Sequence, residues 1–133
     1  MSAVVSPMIV SIGIDIVEVY RIREAIARTP RFAERVFTER ERQYCAAKGR
    51  SAAQSFAGRF AAKEAFLKAI KTGWRGKVSW QDIEVMTDDF GAPSLSVKGE
   101  ARRWVETIGA EQMHVTISHT NEHAVAQVIL ERI

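Results

Sequence analysis

Along residues 8–16 the chain alternates: Val10, Ile12, Ile14 and Ile16 share one face, while Ser11, Gly13 and Asp15 share the other. A period of two predicts a strand with the isoleucines on its buried face and Asp15 near its end on the opposite face. Residues 18–28 change to helical spacing, with Val19, Ile22, Ala25 and Ile26 turned inward, and Thr29 before Pro30 stops that helix. Thr38 and Glu41 have the spacing of a capping box and open a helix running to about residue 48, which Gly49 ends. A long helix from about 51 to 71 follows. Its Phe56, Phe60, Leu67 and Ile70 form one apolar sector and Ala61, Ala62, Ala65 and Ala69 a second opposite, the pattern of a helix buried between other elements. Residues 78–86 read as a strand, 88–93 as a turn and 94–97 as the returning strand. Residues 100–108 form a helix with Ala101, Trp104, Val105 and Ile108 as its stripe, and Gly109 ends it. Two strands close the chain, 114–119 and 124–130, joined by a turn at 120–123; the second is apolar almost throughout, which suits a central or interface strand. The order predicts an α+β domain over residues 8–133, a small antiparallel sheet packed around one long central helix. Residues 1–7 read as an unstructured leader.

Composition narrows the class. The chain has 133 residues, 47% of them hydrophobic, which suffices for one domain with a core. Nothing approaches the run of about 18 apolar residues that a membrane span needs. The N-terminus lacks the charged region and cleavage site of a secretory signal. With Cys45 the only cysteine, there is no disulfide framework, and a cytoplasmic protein is expected. Net charge is +3, unevenly spread: residues 18–50 carry nine Lys and Arg against five Glu. Such a segment suits an acidic partner. Arg21, Arg28 and Arg31 are exposed in this reading, either as a solvated basic face or as a docking surface for an acidic helix.

The chemistry concentrates on the central helix. Arg59 and Lys63 are a like-charged i, i+4 pair, mildly unfavourable unless something anionic compensates. Glu64, Lys68 and Lys71 lie on a narrow strip; Glu64 and Lys68 alone would read as an ordinary helix ion pair. The chain has no His-Glu-x-x-His zinc motif, no P-loop and no nucleophile elbow. Asp15 and Glu64 remain as two carboxylates that, if they converge, make a Mg²⁺ site completed by waters and substrate phosphates. The loop of residues 72–77 is basic and bears Gly73 and Gly76, which suits either close phosphate approach or a plain connection.

Three segments taken together resemble the holo-acyl-carrier-protein synthases, members of the 4′-phosphopantetheinyl transferases. They are Gly13-Ile14-Asp15-Ile16, the run from Phe56 to Ala69 centred on Arg59-Phe60-Ala61-Ala62-Lys63-Glu64-Ala65, and Val115 to Thr120 with Ala124-Val125-Ala126. The resemblance covers about residues 8–131, and the Arg59–Ala65 stretch is its most specific part. Lys71 departs from it, since many members carry glycine there. The resemblance implies the 4′-phosphopantetheinyl transferase fold and transfer of 4′-phosphopantetheine from coenzyme A to a serine of apo-acyl-carrier protein, serving fatty acid biosynthesis. It implies Asp15 and Glu64 as Mg²⁺ ligands, Lys68 beside the reacting phosphates, and Arg59, Lys63, Gly73, Ser118, His119 and Thr120 around coenzyme A. The base is Glu64 or a metal-ordered water. Arg21, Arg28 and Arg31 become the docking face for the acidic carrier protein. A homotrimer with sites between subunits is implied, and no nucleic-acid or membrane partner. The main rival is a non-enzymatic basic module that recognises acidic protein or nucleic acid, and the missing nucleic-acid motifs stand against the latter. A second is a catalytically dead relative kept for carrier-protein binding, against which stand the intact Asp15, Glu64 and Lys68.

Overall fold

A helix of 19 residues, α4 (Ala52–Ile70), organises the chain, and all but seven of its side chains are buried. A computed structural model describes residues 6–71 and 77–133. Most of the leader expected at residues 1–7 therefore lies outside the described residues, and so does Gly73. Strands β1 (Met8–Glu18), β4 (Gln112–His119) and β5 (His123–Arg132) form one antiparallel sheet in the order β1-β5-β4. The apolar final strand is thus central, as its composition requires. Strands β2 (Ile83–Thr87) and β3 (Pro93–Val97) pair as a separate hairpin. The mixed architecture is the α+β arrangement expected, with α4 as the shared core element.

The alanine sector of α4 meets the sheet. Ala61, Ala62, Ala65 and Ala69 pack with Ala126, Val128 and Leu130 of β5. The small side chains of this helix face let backbones approach closely, and β1 takes this furthest. A Cβ on Gly13 would collide with the Ala65 carbonyl and stand 2.8 Å from the Ala69 nitrogen. Two residues earlier, the Ser11 hydroxyl donates to the Ala69 carbonyl at 2.6 Å, a buried bond worth about 0.5–1.5 kcal/mol. Gly58 serves the same end on the other edge, where an added Cβ would lie 2.8 Å from Ile117 Cγ2.

This contact reverses one sequence expectation. The buried face of β1 carries Ser11 and Gly13, whereas Ile12, Ile14 and Ile16 point away from the helix and remain 53%, 56% and 65% exposed. Helix and strand are too close for isoleucine between them. The isoleucines lie on the outer sheet face, where Ile12 pairs with Ile129, Ile14 with Gln127 and Ile16 with Val125.

The opposite side of α4 faces a helical layer: α1 (Val19–Arg28), α2 (Phe32–Val36) and α3 (Glu39–Ala46). Aromatic contacts tie them together, with Phe37 and Phe56 centroids 4.9 Å apart and Phe60 and Trp80 5.4 Å apart. The Thr38–Glu41 capping box forms as its spacing predicts. Helix α2, only five residues long, was not foreseen. The strand expected from residue 78 begins at Ile83, because Ser79 caps a 3-10 turn at Trp80–Asp82 and accepts from the Gln81 amide at 3.1 Å. Helix α5 (Gly99–Thr107) closes the core with Ala101 and Val105. Lys71 ends α4 at φ 64°, the left-handed conformation that glycine adopts most easily. No helix among the described residues is long and apolar enough to cross a membrane.

Candidate active site

The close packing of β1 on α4 carries Asp15 to the C-terminal part of the helix. There Lys68 Nζ lies 2.9 Å from Asp15 Oδ1 and donates to the Ile14 carbonyl at 3.0 Å. The local i, i+4 bridge from Lys68 to Glu64 is not among the described ion pairs; the lysine reaches across to the strand. Glu64 is half-buried one turn before Lys68. Burial pushes its carboxyl above the usual range, the neighbouring Asp15 charge pushes it further, and Lys68 opposes both. Asp15, Glu64 and Lys68 therefore form one electrostatic cluster, as the sequence reading required.

Arg59 stands earlier on α4 and is buried. It lines a cavity of about 320 Å³ between α3, α4, the β2–β3 hairpin and the end of β4. Its Nη2 donates to Thr87 Oγ1 at 2.5 Å, and its guanidinium carbon lies 4.1 Å from the Tyr44 ring centroid. Its Nε is buried without a partner. Lys48 sits 4.5 Å from the same ring, and His119 also lines the cavity. The Tyr44 phenol is lowered. Burial alone would raise it, but hydrogen bonds with Lys48 and Thr87 and the charges of Lys48 and Arg59 outweigh that. A cavity lined by Lys48, Arg59 and His119 together with Gly91, Pro93 and Ile117 suits an anionic ligand with an apolar part.

The remaining expected ligand-holding residues are placed differently. Lys63 is a correction: it is fully buried and turned away from the cavity, with Nζ 2.6 Å from Glu41 Oε1 and donating to the Val36 and Trp80 carbonyls at 2.7 and 3.2 Å. Burial pulls its ammonium below the ordinary lysine value although Glu41 supports the charge. With three acceptors already around it and no solvent access, Lys63 has no donor left for a phosphate. Ser118 pairs with Val125 and is exposed. Alternation puts it opposite Ile117 and His119, on the outer sheet face. Thr120 uses its hydroxyl to accept from the amides of Glu122 and His123 at 3.2 and 3.0 Å, closing the β4–β5 turn. Gly73 lies outside the described residues. Arg21, Arg28 and Arg31 are exposed as expected, each beside a near-neighbour glutamate: Glu18 at 2.9 Å, Glu24 at 2.7 Å and Glu34 at 3.4 Å.

Tyr44, Lys48 and Thr87 were missed by sequence reasoning. Tyr44 and Lys48 are four apart in a segment expected to be helical to about residue 48, a usable signal that they share a face, although α3 itself ends at Ala46. Nothing local marks Thr87, which the hairpin delivers.

Comparisons with known proteins give the family. A family model described as the 4′-phosphopantetheinyl transferase superfamily matches residues 11–128. The chain is 47% identical over 125 residues to the holo-[acyl-carrier-protein] synthase of Koribacter versatilis, spanning 93% of this chain and 99% of that one. It is 47% identical to the enzyme of the same name from Geobacillus kaustophilus, over 95% and 92% of the two chains. Among solved structures, the Bacillus anthracis holo-(acyl-carrier-protein) synthase in complex with CoA (3′,5′-ADP) superposes with a TM-score of 0.78 at 44% identity, over 95% and 99% of the chains. The Helicobacter pylori holo-[acyl-carrier-protein] synthase in complex with coenzyme A gives 0.76 at 32% identity, over 90% and 98%. Matched over nine-tenths or more of its length in sequence and fold, the chain belongs to the holo-[acyl-carrier-protein] synthase family of the 4′-phosphopantetheinyl transferase superfamily.

Proposed function

We propose that the protein transfers 4′-phosphopantetheine from coenzyme A to a serine of apo-acyl-carrier protein in the cytoplasm and releases adenosine 3′,5′-bisphosphate. The observation that carries this reading is the cluster of Asp15 on β1 with Glu64 and Lys68 on α4, the helix that also carries Arg59 into the cavity. The new bond joins the serine oxygen to the β-phosphorus, and the bond that breaks links that phosphorus to the bridging oxygen of the pyrophosphate. The leaving bisphosphate takes the electron pair. Arg59, Lys48 and His119 hold phosphate in the cavity. Lys68 supplies positive charge beside the reacting pyrophosphate, where charge on leaving and non-bridging oxygens must be stabilised. Glu64, or a water held beside it, receives the serine proton.

Asp15 and Glu64 are the residues that would hold Mg²⁺. Among the described residues no three His, Cys, Asp or Glu are grouped to hold a metal. Two carboxylates nonetheless fit this ion, which keeps several waters and takes substrate phosphates as ligands. When bound, it supplies charge to neutralise the pyrophosphate oxygens.

The outer sheet face supports a homotrimer. Ile12, Ile14 and Ile16 form with Val125 and Ile129 an apolar surface larger than scattered exposed residues make. Copies of the chain meeting there would bring Ser118 and the end of β4 toward a neighbour's site. Sedimentation velocity should give three times the chain mass; a monomer active at the same specific rate would refute the assembly.

The reading is tested by incubating the protein with coenzyme A, Mg²⁺ and apo-acyl-carrier protein. The carrier should gain one phosphopantetheine by mass, and Glu64→Gln should cut turnover by about a hundredfold or more. No mass gain with carrier binding intact would reduce the protein to a binding module. Because the folded Glu64 carboxyl titrates above its unfolded value, its stabilising contribution exists below the unfolded pKa and is lost as pH rises through the folded one. Without metal, Glu64→Gln should thus be no less stable than the wild type at pH 8. The variant's relative advantage should shrink as the pH is lowered through this range. A large loss of stability at pH 8 would make Glu64 structural.

Arg21, Arg28 and Arg31 are proposed to meet the acidic carrier protein. Their glutamate partners are exposed, and such pairs contribute little, so they are readily exchanged. Arg21→Glu should raise the KM for carrier protein about tenfold and leave that for coenzyme A unchanged. Equal loss for both substrates would remove this face from docking.

A further inference from the structure

The mechanism leaves one buried ionic group unused. Glu41 and Lys63 are both fully inaccessible and 2.6 Å apart. Around them converge the capped start of α3, the end of α2, the Trp80 turn and the open edge of β2. Glu41 Oε1 accepts from the Thr38 amide at 2.8 Å, and its Oε2 accepts from the Val85 amide at 2.7 Å. Lys63 adds the Val36 and Trp80 carbonyls. Thr38 extends the network by donating to Glu84 Oε2 at 2.6 Å.

A buried pair of this kind is poor evidence for stability, because desolvation offsets most of its attraction. What it does fix is relative position. Glu41 belongs to α3, Lys63 to α4 and Val85 to β2, the same three elements that surround Arg59 through Tyr44, its own helix and Thr87. Tyr44 lies three residues beyond Glu41, Arg59 four before Lys63, and Thr87 two beyond Val85. Each contact around the Arg59 guanidinium is thus about one turn or one strand step from a contact in the ionic network.

We infer that Glu41 and Lys63 are positioning residues for phosphate recognition: they lock α3, α4 and β2 together and so hold Arg59 between Tyr44 and Thr87, aimed at the ligand's phosphate. This rests on the reading of the Arg59 cavity as the coenzyme A phosphate site. Neither residue touches the ligand. Their effect is on affinity for the nucleotide, with little on the chemistry at Glu64 and Lys68.

The test is calorimetric binding of adenosine 3′,5′-bisphosphate to wild type, Arg59→Met, Glu41→Gln and the neutral double variant Glu41→Gln/Lys63→Met, with steady-state kinetics beside it. Both pair variants should bind the bisphosphate about tenfold more weakly, with a matching rise in KM for coenzyme A, while kcat at saturation stays within about threefold. The KM for carrier protein should not move. Unchanged affinity in both pair variants, with only the melting temperature lowered, would overturn the inference and leave a plain structural bridge. A fall in kcat at unchanged affinity would overturn it in favour of a direct role in the chemistry. If Arg59→Met also binds normally, the cavity reading beneath the inference fails instead. Wild-type hydrogen exchange gives a readout that does not depend on the variants folding. The Val85 amide held by Glu41 should exchange more slowly once the bisphosphate is bound, and no change there would count against the coupling.

Discussion

The rest of the structure depends on how closely β1 lies against α4. Gly13 has no side chain to keep the two backbones apart, and Ser11 ties its hydroxyl to the Ala69 carbonyl across the gap. With β1 drawn in this far, Asp15 stands beside Glu64 and within 2.9 Å of Lys68. The same approach leaves no space for isoleucine on the inner face, so Ile12, Ile14 and Ile16 are turned to the outside. One steric fact thus sets both the site's carboxylate pair and the apolar surface on which assembly is proposed.

Helix α4 then serves two polar environments. Toward the sheet and solvent it presents Glu64 and Lys68; toward the helical layer it presents Arg59 and Lys63, both buried. The like-charged pair at Arg59 and Lys63 is resolved by separate partners, the Tyr44 ring and Thr87 for one and Glu41 for the other. For Glu64 the nearby Lys68 charge does not outweigh burial and the Asp15 charge, so its proton affinity stays raised. Natural proteins tolerate such locally unfavourable groups where function needs them.

Much of this was legible in the sequence. The alternation in β1, the Thr38–Glu41 cap, the central helix and the apolar final strand all have local causes, and each formed close to its expected bounds. What periodicity could not give was which face of β1 meets the helix, since it groups residues by face without saying what packs there. Lys63 and Arg59 look equivalent on a helical wheel, and only the folded chain supplies Glu41, 22 residues upstream, as the partner of one. Ser79 diverts the chain before β2 through a cap that hydrophobic spacing does not register. Thr87 reaches Arg59 through a hairpin whose docking is non-local. The roles of Asp15, Glu64 and Lys68 came from the family resemblance, and the structure adds the contact that brings them together.

The central claim is that the backbone approach at Gly13 builds the carboxylate pair proposed to hold Mg²⁺. Its most direct test is the Mg²⁺ dependence of phosphopantetheine transfer in Gly13→Ala, with circular dichroism to establish that the variant is folded. Displacing β1 by even part of a methyl group should separate Asp15 from Glu64, so half-saturation should need about tenfold more Mg²⁺. A folded Gly13→Ala protein with the wild-type Mg²⁺ requirement would contradict the account.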